Sequence, residues 1–199
     1  MIQTLDLTYN IVEAVEYFNT LTKDFQHLHW FYRKHHNEPA VIEDKNNMDN
    51  VQGWGLQTIY ADPSFPYHCD IDPHNEEPAY FKDTDLTFGF YKRAKDLFKD
   101  PYRAFLMTFP SKHHIGKWLP TPPLHGKIFI PIKSNNNTIL MSYQDELQVV
   151  PFKEGTVYLM DMTKYYGEFR NDGNTDITFI TFNVPEYTFD YVLNLKGQI

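Results

Sequence analysis

The chain has a single cysteine, Cys69, among its 199 residues. One thiol excludes an internal disulfide framework and suits a reducing compartment. No apolar run reaches the roughly 20 residues that a bilayer-spanning helix needs. Residues 1–7 lack the basic start and apolar run of a secretory signal. We therefore expect a cytoplasmic protein with no membrane partner. If the gene is phage-borne, that compartment is the host cytoplasm or the virion. No P-loop, nucleophile elbow or zinc-ribbon spacing occurs, so those chemistries have no motif to stand on. Histidine is absent after His125, and acid is absent from 101–144.

That second absence makes the charge uneven. The formal net charge is −8, which argues against general nucleic-acid binding, because neutralising phosphates takes a basic footprint. Yet Arg103, Lys112, Lys117, Lys127 and Lys133 give the acid-free stretch +5, leaving −13 on the remainder. A basic island in an acidic chain suits an anion or an acidic partner.

Hydrophobic residues make up 42% of the chain and aromatics 17%, with 16 Phe and 14 Tyr. This is a globular composition that leans towards β-structure, where aromatics fit a pleated, half-buried surface. The length suits one domain. Within it, 1–100 reads as a helical and irregular N-terminal part, 101–185 as a β core and 186–199 as a C-terminal tail. Ile11, Ala14, Val15, Phe18 and Leu21 recur at helical spacing behind a capping Asn10, predicting a helix near 11–22. Phe90, Ala94, Leu97 and Phe98 predict another near 86–99. From about residue 102 the period falls to two. Short runs at 103–109, 127–132, 138–143, 148–152, 156–160 and 177–184 are separated by turn residues, which indicates a sandwich or jelly roll.

The order of pieces in the second half is more specific. His113-His114 follows the first of these strands. Next come Lys127-Ile-Phe-Ile-Pro-Ile132, Gly155-Thr-Val-Tyr-Leu-Met-Asp161, a polar stretch ending at Asn171, and Ile177-Thr-Phe-Ile-Thr-Phe182. With Gly53-Trp54-Gly55 upstream, this succession resembles the aspartyl/asparaginyl β-hydroxylase branch of the iron- and 2-oxoglutarate-dependent oxygenases over roughly 50–185. The resemblance implies a mainly β fold with α elements, a double-stranded β-helix flanked by N-terminal helices.

It also implies a ligand set that can be checked. Such an iron site takes two His and usually one carboxylate on one face of the metal. His114 stands at the first His position, but Gly116 stands where the carboxylate belongs, a gap that related halogenases leave for halide. The stretch where the second His belongs reads Lys164-Tyr-Tyr-Gly-Glu-Phe-Arg-Asn171. Ile177 replaces the Arg that would clamp the far carboxylate of 2-oxoglutarate, and Lys127 and Phe129 replace other polar positions. Lys127 and Arg170 are the cations left for a co-substrate or another anion. A second candidate metal set is His68, Asp70 and His74, a literal His-x-Asp in an acidic loop.

Two function classes follow. In the first, the chain is a non-catalytic oxygenase fold that needs no cofactor and binds other protein subunits or builds an assembly. Heavy use of Asn, Lys, Ile, Tyr and Phe fits an AT-rich phage genome, and a virion component is the form expected. The partner-binding residues would be Lys112, Lys117, Trp118, Tyr165 and Tyr166, since aromatic anchors concentrate binding energy. In the second, it is an active hydroxylase or halogenase with a rearranged site, using Fe(II) and 2-oxoglutarate.

Overall fold

The structure, a computed structural model, describes residues 1–24, 52–58, 78–118, 125–143 and 146–199. Strands β1 (Ile2–Thr4) and β2 (Asp6–Thr8) lead into helix α1 (Ile11–Asp24). Asn10 caps that helix, its Oδ1 accepting from Val12 N at 3.0 Å. Strands β3 (Gln52–Gly55), β4 (Gln57–Thr58) and β5 (Lys82–Asp83) come next. Helix α2 spans Gly89–Asp96, shorter than the 86–99 expected from spacing. The hydroxyls of Thr84 and Thr87 donate to the Leu56 carbonyl at 3.0 and 2.8 Å, holding 84–87 as a turn against the sheet instead of a first helical turn.

Eight strands follow: β6 (Tyr102–Phe109), β7 (His113–Trp118), β8 (His125–Lys133), β9 (Thr138–Tyr143), β10 (Leu147–Pro151), β11 (Tyr158–Asp161), β12 (Tyr166–Asn171) and β13 (Ile177–Pro185). One sheet has the order β1-β11-β8-β13-β6-β3 and the other β10-β9-β12-β7. The chain shuttles between them, so the eight strands close as a double-stranded β-helix over the stretch where the sequence turns to period two. The segment after β13 carries a short helix α3 (Phe189–Leu193) and a strand β14 (Lys196–Gln198), which pairs in parallel with β2.

Alternation along the strands sorts the apolar residues into two cores. Ile128, Ile130 and Ile132 of β8 and Ile180, Phe182 and Val184 of β13 face out of the larger sheet. They meet Ala14, Tyr17 and Leu21 of α1 and Phe90, Tyr91 and Ala94 of α2. The opposite parity faces the barrel interior: Phe105, Met107 and Phe109 of β6, Phe129 of β8, Leu140 of β9, Phe169 of β12, and Ile177 and Phe179 of β13.

β7 and β12 are strands that composition reads as a loop and a polar stretch. Each has consecutive polar residues, His113-His114 and Arg170-Asn171, and a register shift falls between Gly167 and Phe169. One end of the barrel is closed by an amide network. Asn171, fully buried, donates from Nδ2 to the carbonyls of Pro110 and Thr175 at 2.8 and 2.9 Å. Its Oδ1 accepts from Asn135 Nδ2 at 2.9 Å, and Asn135 Oδ1 accepts from Asn137 N and Thr138 Oγ1, both at 3.0 Å. The Asn-rich turn after β8 thus plugs this end. Removing a partner from buried polar groups costs about 1–3 kcal/mol per group. Asn171→Leu strands the Pro110 carbonyl and the Gly173 N–H and leaves the Asn135 amide only its bonds to Thr175; it should lower unfolding free energy by about 2–4 kcal/mol, read from urea denaturation at unchanged m-value.

Candidate functional site

The barrel interior holds a layer of phenylalanines. Phe109, Phe129, Phe152, Phe169 and Phe179 are each at most 1% exposed. Centroid separations among them run from 5.0 Å (Phe152–Phe169) to 6.5 Å (Phe129–Phe169). Edge-on and tilted ring pairs at these distances fill space as a close-packed core does. Ile177, where the resemblance expects an Arg, is fully buried in this layer, and so is Phe129. Among the described residues, those packed in this layer are apolar.

His114 lies on the other side of the sheet. It is directly opposite Arg170 in the β12–β7 pairing, and opposed residues share a face. Phe169, the neighbour of Arg170, points inward, so His114, Glu168 and Arg170 point outward. Contacts agree with that register. His114 Nε2 lies 3.3 Å from Glu168 Oε2, Arg170 Nη2 lies 3.6 Å from the same oxygen, and Tyr143 OH donates to Glu168 Oε1 at 3.0 Å. The Glu168 side chain is only 11% exposed, so its charge is compensated by three neighbours at the sheet surface. Glu168 and Tyr143 were not singled out from sequence. The signal was there in their outward parity, but it needs the register of β9 against β12 to be seen.

Iron does not fit these residues. His114 is turned away from the interior and engaged by Glu168, Gly116 supplies no ligand, and Gly167 stands opposite Trp118 where a second His would be needed. Among the described residues no group of three His, Cys, Asp or Glu side chains could hold an ion. His68, Asp70 and His74 lie outside the described residues.

The remaining predicted positions are scattered. Lys127 faces the barrel interior towards the end opposite the Asn171 network, across from Asn183 and Met160. Lys133 sits with Nζ 4.5 Å from the Phe18 ring centroid, on the helix side. Lys112 is exposed at the tight turn before β7 and bonds the Asp172 carbonyl. Trp118 ends the same strand, roughly 20 Å away at about 3.3 Å per residue. The basic island is therefore not one surface. Trp118 and Gly167 are paired, which sets the backbones of Lys117, Trp118, Tyr165 and Tyr166 together at the end of the barrel opposite the Asn171 network. The side chains of Lys117, Trp118 and Tyr166 lie outside the described ones.

Beside Glu168 on the outer face are Leu147 and Val149 of β10, 63% and 48% exposed, opposite Tyr143 and Met141. A cleft of about 1110 Å³ lies between Gln57, Phe81, Lys95, Tyr102, Pro185 and Tyr187, and none of the described residues that line it is a sequence-predicted site residue.

No protein-family model matches the chain, and no curated protein matches it in sequence. Among solved structures it is similar to an oxidoreductase of the 2OG-Fe(II) oxygenase family from Burkholderia pseudomallei. That match has TM-score 0.55 and 10% identity, over 85% of this chain and 77% of that one. A Pseudomonas putida prolyl-4-hydroxylase matches at TM-score 0.38 and 8% identity, over 48% of this chain and 56% of that one. A Drosophila melanogaster CENP-C cupin domain matches at 0.36 and 7%, over 41% and 59%. The first match shows a shared oxygenase-type barrel; a fold shared at this identity does not carry function with it.

The outer-face cluster gives a stability prediction. Glu168→Leu removes the partly buried acceptor of Tyr143, the hydrogen-bond partner of His114 and the carboxylate beside Arg170. It should destabilise by about 1–2 kcal/mol. Arg170→Ala, at an exposed pair, should change stability by less than about 0.5 kcal/mol. Thermal unfolding of the two variants in parallel checks the ordering.

Proposed function

We propose that this chain is a non-catalytic protein on an oxygenase-type barrel, of the aspartyl/asparaginyl β-hydroxylase kind, that binds protein subunits or builds an assembly such as a virion. The phenylalanine layer carries this reading. It occupies the interior where Ile177 and Phe129 stand in place of co-substrate contacts, and an apolar layer gains nothing from an anion that must shed its hydration to enter. The outward turn of His114 supports it independently.

An active hydroxylase or halogenase would have to gather iron and 2-oxoglutarate elsewhere. The direct test is anaerobic titration of purified protein with ferrous iron, then gel filtration, metal analysis and an assay for 2-oxoglutarate-dependent oxygen uptake. The expected result is substoichiometric iron and no uptake. Stoichiometric iron that is lost in His114→Ala would return the protein to the enzyme class.

Partner binding is proposed at the end of the barrel opposite the Asn171 network, where Lys117, Trp118, Tyr165 and Tyr166 come together in the backbone pairing. Tyr and Trp concentrate interface energy, and a neighbouring cation steers an acidic surface. Lys112 contributes at most at long range, from the far end of β7. Trp118→Ala should weaken association by about tenfold or more without lowering the melting temperature. If Trp118→Ala and Lys117→Glu both leave every association of the protein unchanged in sedimentation, the binding surface lies elsewhere.

A further inference from the structure

Among the described residues β1 ends the larger sheet and β10 ends the smaller, and the two edges adjoin at the seam of the barrel. The edge of β1 is covered by a side chain. Gln148 of β10 shares the inward face with Ser142, its partner on β9, and reaches across the seam. Its Oε1 accepts from Ile2 N at 2.7 Å, and its Nε2 donates to the Ile2 carbonyl at 2.8 Å. One amide thus takes up the backbone groups that an added strand would use.

Strand β10 has no such cover. Phe152 N, just past its end, donates to the Thr138 carbonyl at 2.9 Å. Bonded and unbonded pairs alternate along an antiparallel ladder, so Val150 and Gln148 also bond to β9. Leu147, Val149 and Pro151 then turn their backbone polar groups to the free edge. Pro151 agrees with this: it lacks an N–H, and its carbonyl is taken by the Tyr158 hydroxyl at 2.8 Å, not by β9. The N–H and C=O groups of Leu147 and Val149 have no hydrogen-bond partner among the described residues. Their side chains are 63% and 48% exposed, and Leu147–Pro151 carries no charge. Soluble proteins guard such an edge with a lysine, a bulge or a covering segment, because it is a template for another strand.

We propose that β10 pairs antiparallel with β10 of a second copy of this chain, joining two four-stranded sheets into one of eight strands across a two-fold axis. The axis passes through Gln148, so Leu147 stands opposite the partner's Val149 and Val149 opposite the partner's Leu147. All four edge-facing N–H and C=O groups of each copy are bonded in this register, and the exposed apolar side chains meet as cross-strand pairs. Centring the axis on Val149 instead would set Leu147 against a proline with no N–H to give. The flanking charges fit as well. Exposed Glu146 precedes the strand and exposed Lys153 follows it, so the acidic end of each copy lies beside the basic end of the other. The contact is isologous and closes at two copies. It uses a different surface from the Trp118 end of the barrel and does not rest on the non-catalytic reading.

The test is sedimentation velocity of the full chain from micromolar to near-millimolar concentration. A reversible monomer–dimer equilibrium is expected, weak because a short edge strand is a small interface. Val149→Pro should weaken it by about tenfold or more, since the lost N–H faces the edge and the β9 ladder keeps all its bonds. Val149→Lys, which leaves the backbone intact, should do the same by placing like charges on both sides of the axis. Neither should lower the melting temperature of the dilute monomer, and Trp118→Ala should leave this self-association unchanged. Register is checked by mixing Leu147→Cys with Val149→Cys chains, each also Cys69→Ser. Opposed residues of a bonded pair stand about 5.5 Å apart at Cα, so the mixture should form a disulfide dimer faster than either chain alone. Monomer at every concentration, dimerisation undiminished in both Val149 variants, its loss in Trp118→Ala, or growth beyond the dimer each overturns the pairing. Stoichiometric iron on an intact dimer would remove the non-catalytic reading alone.

Discussion

Strand β13 has no exposed residue from Ile177 to Pro185, and the rest of the molecule is arranged around it. It hydrogen-bonds to β8 on one side and β6 on the other, so its backbone polar groups are paired within the sheet. Its even-numbered side chains anchor α1 and α2, and its odd-numbered ones line the barrel. Burial on both faces is what allows one strand to belong to two cores at once. It also explains why apolar residues stand on both of its faces, Phe179 on one and Ile180, Phe182 and Val184 on the other.

The same parity rule decides the chemistry. A shift of one residue would exchange the faces of β12, putting Glu168 and Arg170 inside and Phe169 outside. The phenylalanines prevent this, because Phe169 touches the rings of Phe109, Phe152 and Phe179 at 5.0–5.1 Å. Once β12 is locked, its pairing with β7 turns His114 outward. The outward turn of His114 is thus a consequence of core packing, and its neighbour His113 takes the inward position, its ring 5.4 Å from that of Phe109. Adding a histidine at position 166 or 167 would not by itself give His114 a partner.

Much of the barrel was legible in the sequence. The runs at 103–109, 127–132, 138–143 and 177–184 correspond to β6, β8, β9 and β13 within one or two residues at each end, because they bury one or both faces and so carry an apolar signal. β7 and β12 were illegible as strands. Half of each points to a polar outer surface, and His113, His114, Gly167 and Glu168 are not residues that propensity assigns to strands. The α2 boundary was misjudged because Thr84 and Thr87 bond to a carbonyl nearly 30 residues away, which local spacing cannot register. The site was legible only as a set of substitutions. That His114 faces Glu168, and that Lys112 and Trp118 stand at opposite ends of one strand, are facts of register.

The two interior layers pull in opposite directions. Five packed phenylalanines stabilise the barrel, since a buried aromatic removes on the order of 150–250 Å² from water and its ring contacts add to that. The layer next to them does the reverse, keeping Asn183, Thr181 and Ser142 where Leu, Val and Ala would fit a pleated interior without unpaired polar atoms. Proteins tolerate such a local loss where the surrounding structure over-determines the position. Here β13 supplies that excess: Thr181 and Asn183 alternate along it with Ile180, Phe182 and Val184, all fully buried. The strand that holds the fold most firmly is therefore also the one able to carry two of its least satisfied side chains.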